Sequence, residues 1–127
     1  NPAKAENILG WHAERDLTRM CEDAARWQKM NPDGYPMVLT GDFNFKKDTD
    51  LYAGMVDGGL WDTQDKTEDT MNGKTYHAYN GGEEGEPIDF ICVNEKITSV
   101  KEYRIVRDMY GDNYLSDHYP IFADMIF

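Results

Sequence analysis

Apolar positions near the start of the chain follow the period of a helix. Between residues 12 and 30, apolar side chains recur three and four positions apart, which places them on one helical face. They are Leu17, Met20, Cys21, Ala24 and Ala25. Turn formers at residues 31–34 predict the end of this helix.

After residue 34 the pattern changes to short apolar runs separated by turn formers, which is typical of strands. Strands are predicted at residues 36–40, 75–79, 88–93, 99–107 and 121–127. A second, shorter helix is predicted at residues 48–57, with Asp48 or Thr49 as its cap and Gly58-Gly59 at its end. Because the strands are nearly continuously apolar, we expect burial on both faces. The element order predicts an α/β layered domain with a mixed sheet.

Length and cysteine content set limits on the fold. The 127 residues suffice for one modest domain with one core. The chain begins at Asn1 rather than Met, so we expect it to be a cut or processed piece. No apolar run approaches the ~20 residues of a transmembrane segment. Cys21 and Cys92 lie outside any zinc-binding pattern, and we expect both to be small core residues.

The formal net charge of −11 argues against nonspecific binding of long DNA, unless basic residues lie outside this chain. Carboxylates are also natural ligands of hard cations such as Mg²⁺. Most of the 24 acidic residues are expected simply to solvate the surface.

Asp42 and Asn44 follow the first predicted strand in the run Gly41-Asp42-Phe43-Asn44. Residues two apart in an extended segment face the same side, so a carboxylate and a carboxamide can project together into a cleft. The carboxylate can activate a water, and the amide can donate to a phosphoryl oxygen. An ordinary turn explains the same residues equally well.

Asp89 lies inside an apolar strand, where an unpaired carboxylate is costly. His118 is a suitable partner, because an Asp can fix the tautomer and orientation of an imidazole. The alternative is that Asp89 points into water from an edge strand. His118 itself follows Asp117 just before the last strand, and taken alone this pair fits a capped loop with a surface histidine.

Three motifs together resemble the endonuclease/exonuclease/phosphatase superfamily, also called the DNase I-like family. Gly41-Asp42-Phe43-Asn44 is similar to its GDFN motif, Ile88-Asp89-Phe90-Ile91 to its (I/L)DY(I/F) strand, and Ser116-Asp117-His118-Tyr119-Pro120 to its SDHxP terminus. The ordered set is far more specific than any one motif. The resemblance implies a metal-dependent hydrolase of phosphoester bonds, a phosphodiesterase, nuclease or phosphatase.

The resemblance also implies a role for each matching residue. Asp42 would position and activate the attacking water, and Asn44 would hold the phosphoryl oxygens. His118, oriented by Asp89, would bind the scissile phosphate and stabilise transition-state charge. Asp117 would serve a Mg²⁺ site, which Mn²⁺ could also fill, with the metal acting as a Lewis acid.

The family fold is a four-layer α/β sandwich, and this chain would supply about half of it. Residues 1–127 are expected to be the C-terminal portion of one domain whose N-terminal half is absent. The absent half carries an Asn, a metal-binding Glu and a further His in the family, and His12 lies in the wrong context to replace that last residue. We therefore expect little or no activity from the fragment alone, and activity only in the full-length protein.

The resemblance leaves the phosphoester substrate open among nucleic acid, phospholipid and small phosphate esters. Residues 75–79 are expected near the substrate, with His77 as a substrate-binding residue and their aromatic rings able to stack on a base or sugar. A core position is the favoured reading of Tyr76. The alternatives to an enzyme are a noncatalytic binding module that retains the fold and an unrelated acidic α/β binding domain.

Overall fold

The computed structural model describes residues 3–12, 14, 17–30 and 34–127. The chain divides into two compact units, Asn1–Gly34 and Tyr35–Phe127. The first unit contains α1 (Ala3–Leu9), which the sequence did not predict, and α2 (Leu17–Met30). Helix α2 begins later than predicted and ends where predicted. The side chain of Cys21 and residues 31–33 lie outside the described part, so the predictions for them stay predictions.

The second unit holds a three-stranded sheet of β1 (Val38–Asp42), β2 (Trp61–Asp62) and β3 (Asp89–Val93), in the order β1-β3-β2. A second sheet pairs β4 (Ser99–Ile105) with β5 (Ile121–Ile126). All of these pairings are antiparallel. The predicted α/β class is confirmed. The prediction of a mixed sheet was wrong for the described residues, which form two small antiparallel sheets.

The shorter helix, α3 (Asp50–Asp57), agrees closely with its sequence signals. Its N-cap is Thr49, whose side-chain oxygen accepts from the N–H of Tyr52, and its C-cap is Gly58. Gly59 follows with φ of 88°, a conformation that glycine adopts at little cost. A 3₁₀ helix at Thr63–Lys66 then leads away from β2.

Two expectations about strands were wrong. Residues 75–79 form no strand, only a single bridge at Tyr76, and Ala78 and Tyr79 turn the chain with positive φ. Strand β1 was expected to be buried, yet each of its residues is exposed, including Val38 and Leu39. Strand β1 lies at the edge of its sheet, next to β3.

Aromatic side chains form the core behind β1 and β3. Phe90 is 1 % exposed, and its ring contacts the rings of Phe43, Phe45 and Tyr52. The predicted core position of Cys92 is confirmed, since it is also 1 % exposed. This packing fixes the chain immediately after Asp42, because Phe43 is the next residue. Within the described residues, no helix is long and apolar enough to cross a membrane.

Candidate active site

Two acidic residues face each other where β1 ends and β3 begins. The antiparallel register pairs Asp42, the last residue of β1, with Asp89, the first residue of β3. Directly opposed residues have Cβ atoms about 4.5–5.5 Å apart. The strand register therefore brings together two carboxylates that are far apart along the chain.

Asn44 holds both oxygens of the Asp42 carboxylate. It adopts a left-handed conformation with φ of 54°, which asparagine tolerates because its amide bonds locally. Its backbone N–H donates to Oδ1 of Asp42 at 2.9 Å, and its side-chain amide donates to Oδ2 at 3.1 Å. The motif therefore does form a turn, which was the alternative interpretation of the sequence, and this turn also orients the Asp42 carboxylate.

His118 is joined by its backbone to the segment around Tyr76. The two residues form an antiparallel bridge, and the N–H of Tyr119 donates to the carbonyl of Thr75 at 2.7 Å. Thr75 is fully buried, and its hydroxyl oxygen accepts from the N–H of Asp89 at 3.2 Å. One short segment therefore holds both the start of β3 and the backbone of His118.

The side chains of Asp89 and His118 form a direct pair. Nδ1 of His118 lies 2.8 Å from Oδ2 of Asp89. An ionised carboxylate only accepts hydrogen bonds, so Nδ1–H donates and the other ring nitrogen, Nε2, is left for other contacts. Nε2 lies 3.9 Å from Oδ2 of Asp42, too far for a hydrogen bond but close enough for charge to be felt.

Acidic neighbours favour the protonated form of His118. Partial burial lowers the pKa of His118, but the hydrogen bond with Asp89 and the negative charges of Asp89, Asp42 and Asp117 together raise that pKa above its usual value.

Asp42, Asp89 and His118 offer one ligand atom each, and these three atoms all lie within 4.8 Å of one another. The group could hold a metal ion. Two carboxylate oxygens suit Mg²⁺ and Mn²⁺, whereas an imidazole nitrogen is more typical of other transition metals. The metal ligand expected from the sequence was Asp117. It is not part of this group, although its charge acts on His118.

His77 lies inside the protein rather than at an open surface. It is 3 % exposed, and its ring stacks on the Tyr119 ring at 4.0 Å and contacts the Tyr114 ring at 4.5 Å. Its Nδ1 accepts from the N–H of Gly81 at 3.4 Å. These contacts give His77 a packing role, and its contact with substrate stays a prediction that the burial does not favour.

Tyr76 is exposed next to the site, which corrects the expectation that it is a core residue. It is 46 % exposed, and its ring centroid lies 5.0 Å from that of His118. Thr75 and His77 on either side are buried. This alternation of burial is that of an extended segment, which places the Tyr76 side chain opposite those of Thr75 and His77.

Comparison with known proteins gives a family match over most of the chain. The model of the "Endonuclease/Exonuclease/phosphatase family" matches residues 5–118. Among curated proteins, human and Bacillus subtilis UDP-glucose 4-epimerase are 57 % and 54 % identical over 35 residues. That stretch is 28 % of this chain and 10 % of each epimerase, so the chain spans a tenth of the length of these relatives.

Solved structures resemble a larger part of the chain. A mannosyl-6-phosphatase from Bacteroides thetaiotaomicron superposes with a TM-score of 0.69 and 24 % identity, over 85 % of this chain and 44 % of that one. An endonuclease/exonuclease/phosphatase from Bacteroides vulgatus gives 0.70 and 27 %, over 85 % of this chain and 42 % of that one. The chain therefore spans less than half the length of these structures.

Proposed function

The chain belongs to the endonuclease/exonuclease/phosphatase family, and from this we propose that the full-length protein is a metal-dependent hydrolase of phosphoester bonds. The observation that supports the proposal most is the convergence of Asp42, Asp89 and His118, whose polar atoms lie within 4.8 Å of one another. These side chains come from three separate parts of the sequence.

Each residue has a role that its contacts support. Asp42 orients the attacking water and accepts its proton, while Asn44 holds the carboxylate in place. The amide of Asn44 has a second N–H that can donate to a phosphoryl oxygen. Nε2 of His118 donates to the scissile phosphate and stabilises the charge that develops there, because Asp89 fixes the tautomer of the ring.

We propose that the metal ion binds to carboxylate groups near His118. Asp117 is the proposed ligand from this chain, and the group of Asp42, Asp89 and His118 is the alternative position. A bound Mg²⁺ or Mn²⁺ would supply Lewis-acid stabilisation of the phosphate and the leaving oxygen. At Asp117, the metal would leave Asp42 free to act on water.

We further propose that residues 1–127 are the C-terminal portion of one four-layer domain. The chain matches 42–44 % of the length of the similar structures, which is what half of such a domain would cover. Activity would then require the remainder of the domain. The division into two compact units at Gly34 describes packing within this chain, and it is not the boundary with the remainder of the domain.

An activity screen of the full-length protein tests the proposal. Substrates are plasmid DNA, RNA, bis-p-nitrophenyl phosphate, a phospholipid and a sugar phosphate, the last because one similar structure is named a mannosyl-6-phosphatase. We expect hydrolysis of at least one ester that requires added Mg²⁺ or Mn²⁺. Absence of metal-dependent hydrolysis across the set would favour a noncatalytic module that retains the fold.

A further inference from the structure

Tyr76 presents a ring at the candidate site that the proposed chemistry does not use. Its ring is tilted by 54° to the His118 ring, with centroids 5.0 Å apart, so the two rings lie close together without stacking. Tyr76 is nevertheless 46 % exposed. Much of the aromatic surface therefore remains open beside His118.

The backbone holds Tyr76 in this position. The bridge between Tyr76 and His118 fixes the two residues opposite each other. On one side, Thr75 is buried and its hydroxyl oxygen accepts from the N–H groups of Ile88 and Asp89. The exposure of Tyr76 therefore results from a rigid local arrangement rather than from a loosely held side chain.

The turn that follows is strained and is bound to the same part of the site. Ala78 and Tyr79 have φ of 49° and 62°, in a region that costs a non-glycine residue about 1–2 kcal/mol. The carbonyl of Asp117 accepts from the N–H groups of His77 and Ala78, at 2.9 and 3.1 Å. Backbone strain persists only where the surrounding structure imposes it, so we infer that the segment carrying Tyr76 is held in one specific conformation.

An exposed aromatic ring next to a phosphate-binding histidine is suited to the alcohol part of a phosphoester. If the phosphate contacts His118, the carbon atoms beyond the ester oxygen lie within a few ångströms of it. The flat apolar faces of a sugar or a base pack on a tyrosine ring, whereas an acyclic chain such as glycerol offers no comparable face.

We propose that Tyr76 is a specificity-determining residue whose ring packs against a ring in the alcohol part of the substrate. The proposal rests on the proposed phosphoesterase function and narrows its substrate to esters of ring-bearing alcohols. Sugar phosphates and nucleotides share this chemistry, and the experiment separates them.

The test measures kcat and KM of the full-length protein with a hexose 6-phosphate, a nucleoside 5′-monophosphate and glycerol phosphate. Tyr76→Ala should raise KM for the ring-bearing esters by about tenfold or more and leave glycerol phosphate within about twofold. Tyr76→Phe should retain nearly all of the preference, because the ring remains. The matched control is Tyr110→Ala, since Tyr110 is also exposed and has no described contact with His118.

The increase in KM caused by Tyr76→Ala is compared between the hexose 6-phosphate and the nucleoside 5′-monophosphate. The ester with the larger increase carries the preferred ring, a sugar or a base. An equal loss on all three esters would overturn the proposal, because Tyr76 would then act only by supporting His118. No loss on any of them would overturn it as well.

Dissociation constants of the same three compounds, measured with the metal chelated, test Tyr76 without turnover. Wild type should bind the ring-bearing compounds more tightly than glycerol phosphate, and Tyr76→Ala should abolish the difference. A ring preference that survives Tyr76→Ala, or its absence in wild type, contradicts the role of Tyr76. Failure of hydrolysis alone contradicts only the proposed function.

Discussion

Asp89 and His118 are 29 positions apart in the sequence, and Oδ2 of Asp89 lies 2.8 Å from Nδ1 of His118. Two separate backbone pairings bring these side chains together. Strand pairing places Asp89 opposite Asp42, and the bridge to Tyr76 places His118. An aspartate bound to one ring nitrogen leaves the other directed at a substrate, which is an arrangement that hydrolases of many folds use.

The first prediction concerns the protonation of His118. Its pKa should lie above the ordinary value of about 6.5, because the charges of Asp89, Asp42 and Asp117 outweigh its partial burial. Asp89→Asn should lower this pKa. NMR titration of the imidazole protons in a chelating buffer measures the effect, and Glu95→Gln, at an exposed acid, is the control.

The same shift has a consequence for stability. A histidine whose pKa is raised on folding stabilises the protein fully below its unfolded pKa, and this stabilisation is lost as pH rises through the folded pKa. Wild type should lose more stability than Asp89→Asn over that interval. Equal pH dependence in the two proteins would contradict the assigned pair.

The second prediction compares two fully buried threonines. The hydroxyl oxygen of Thr75 accepts from the N–H groups of Ile88 and Asp89, whereas the Thr63 hydroxyl has no hydrogen-bond partner among the described residues. Thr75→Val should lower the free energy of unfolding by about 2 kcal/mol, because two amides lose their acceptor. Thr63→Val should leave it unchanged or raise it by up to about 1 kcal/mol.

Urea denaturation of both variants measures these differences. Equal losses in the two would mean that the methyl-for-hydroxyl exchange itself, and not the hydrogen bonds of Thr75, sets the cost.

The third prediction concerns Asp62, a carboxylate 2 % exposed that pairs with Lys47 at 2.8 Å. Burial raises the pKa of Asp62, and although the hydrogen bond and charge of Lys47 lower it, the net shift is upward. The folded state therefore binds a proton more readily than the unfolded state does. Wild type should lose stability as pH rises from the ordinary value of about 3.9 through the folded pKa.

Asp62→Asn should lack this loss, so its stability relative to wild type should increase with pH. Denaturation series between pH 4 and 7 measure the trend, with the exposed Asp112→Asn as the control. A constant difference across the series would mean that Asp62 is already ionised throughout, with its charge fully balanced by Lys47.

The fourth prediction distinguishes the two candidate metal positions. If Asp117 is a ligand, Asp117→Ala should raise the Mg²⁺ concentration for half-maximal activity of the full-length protein by about tenfold or more. The Mg²⁺ requirement of Asp112→Ala, at an exposed acid in the same loop, should stay near that of wild type. An unchanged requirement in Asp117→Ala would contradict Asp117 as a ligand and favour the group of Asp42, Asp89 and His118.

The local motifs of the fold were predictable because their signals are local. Thr49 and Gly58-Gly59 mark the ends of α3, and the apolar runs of β3 to β5 mark strands, whatever the rest of the chain does. The candidate residues were found by local signals as well. Asp42, Asn44 and His118 lie in short polar motifs next to strands, and Asp89 is the one acid within an apolar run.

Features that depend on long-range packing were not predictable. The register that pairs Asp42 with Asp89 is set between strands that are not adjacent in sequence. His77 was expected near the substrate, but Tyr114 and Tyr119, far along the chain, enclose its ring. Tyr76 was expected in the core but is exposed. Its neighbours Thr75 and His77 are buried, and in an extended segment adjacent side chains point to opposite sides.

The most direct test of the proposed chemistry is the turnover number of the full-length protein carrying His118→Ala, measured with Mg²⁺ on an ester that wild type hydrolyses. We expect kcat to fall by about 10²–10⁴-fold, with the unfolding transition nearly unchanged because His118 lies at the surface of the site. Asp42→Ala should cause a loss of similar size. A His118→Ala protein that folds and turns over at close to the wild-type rate would contradict the account.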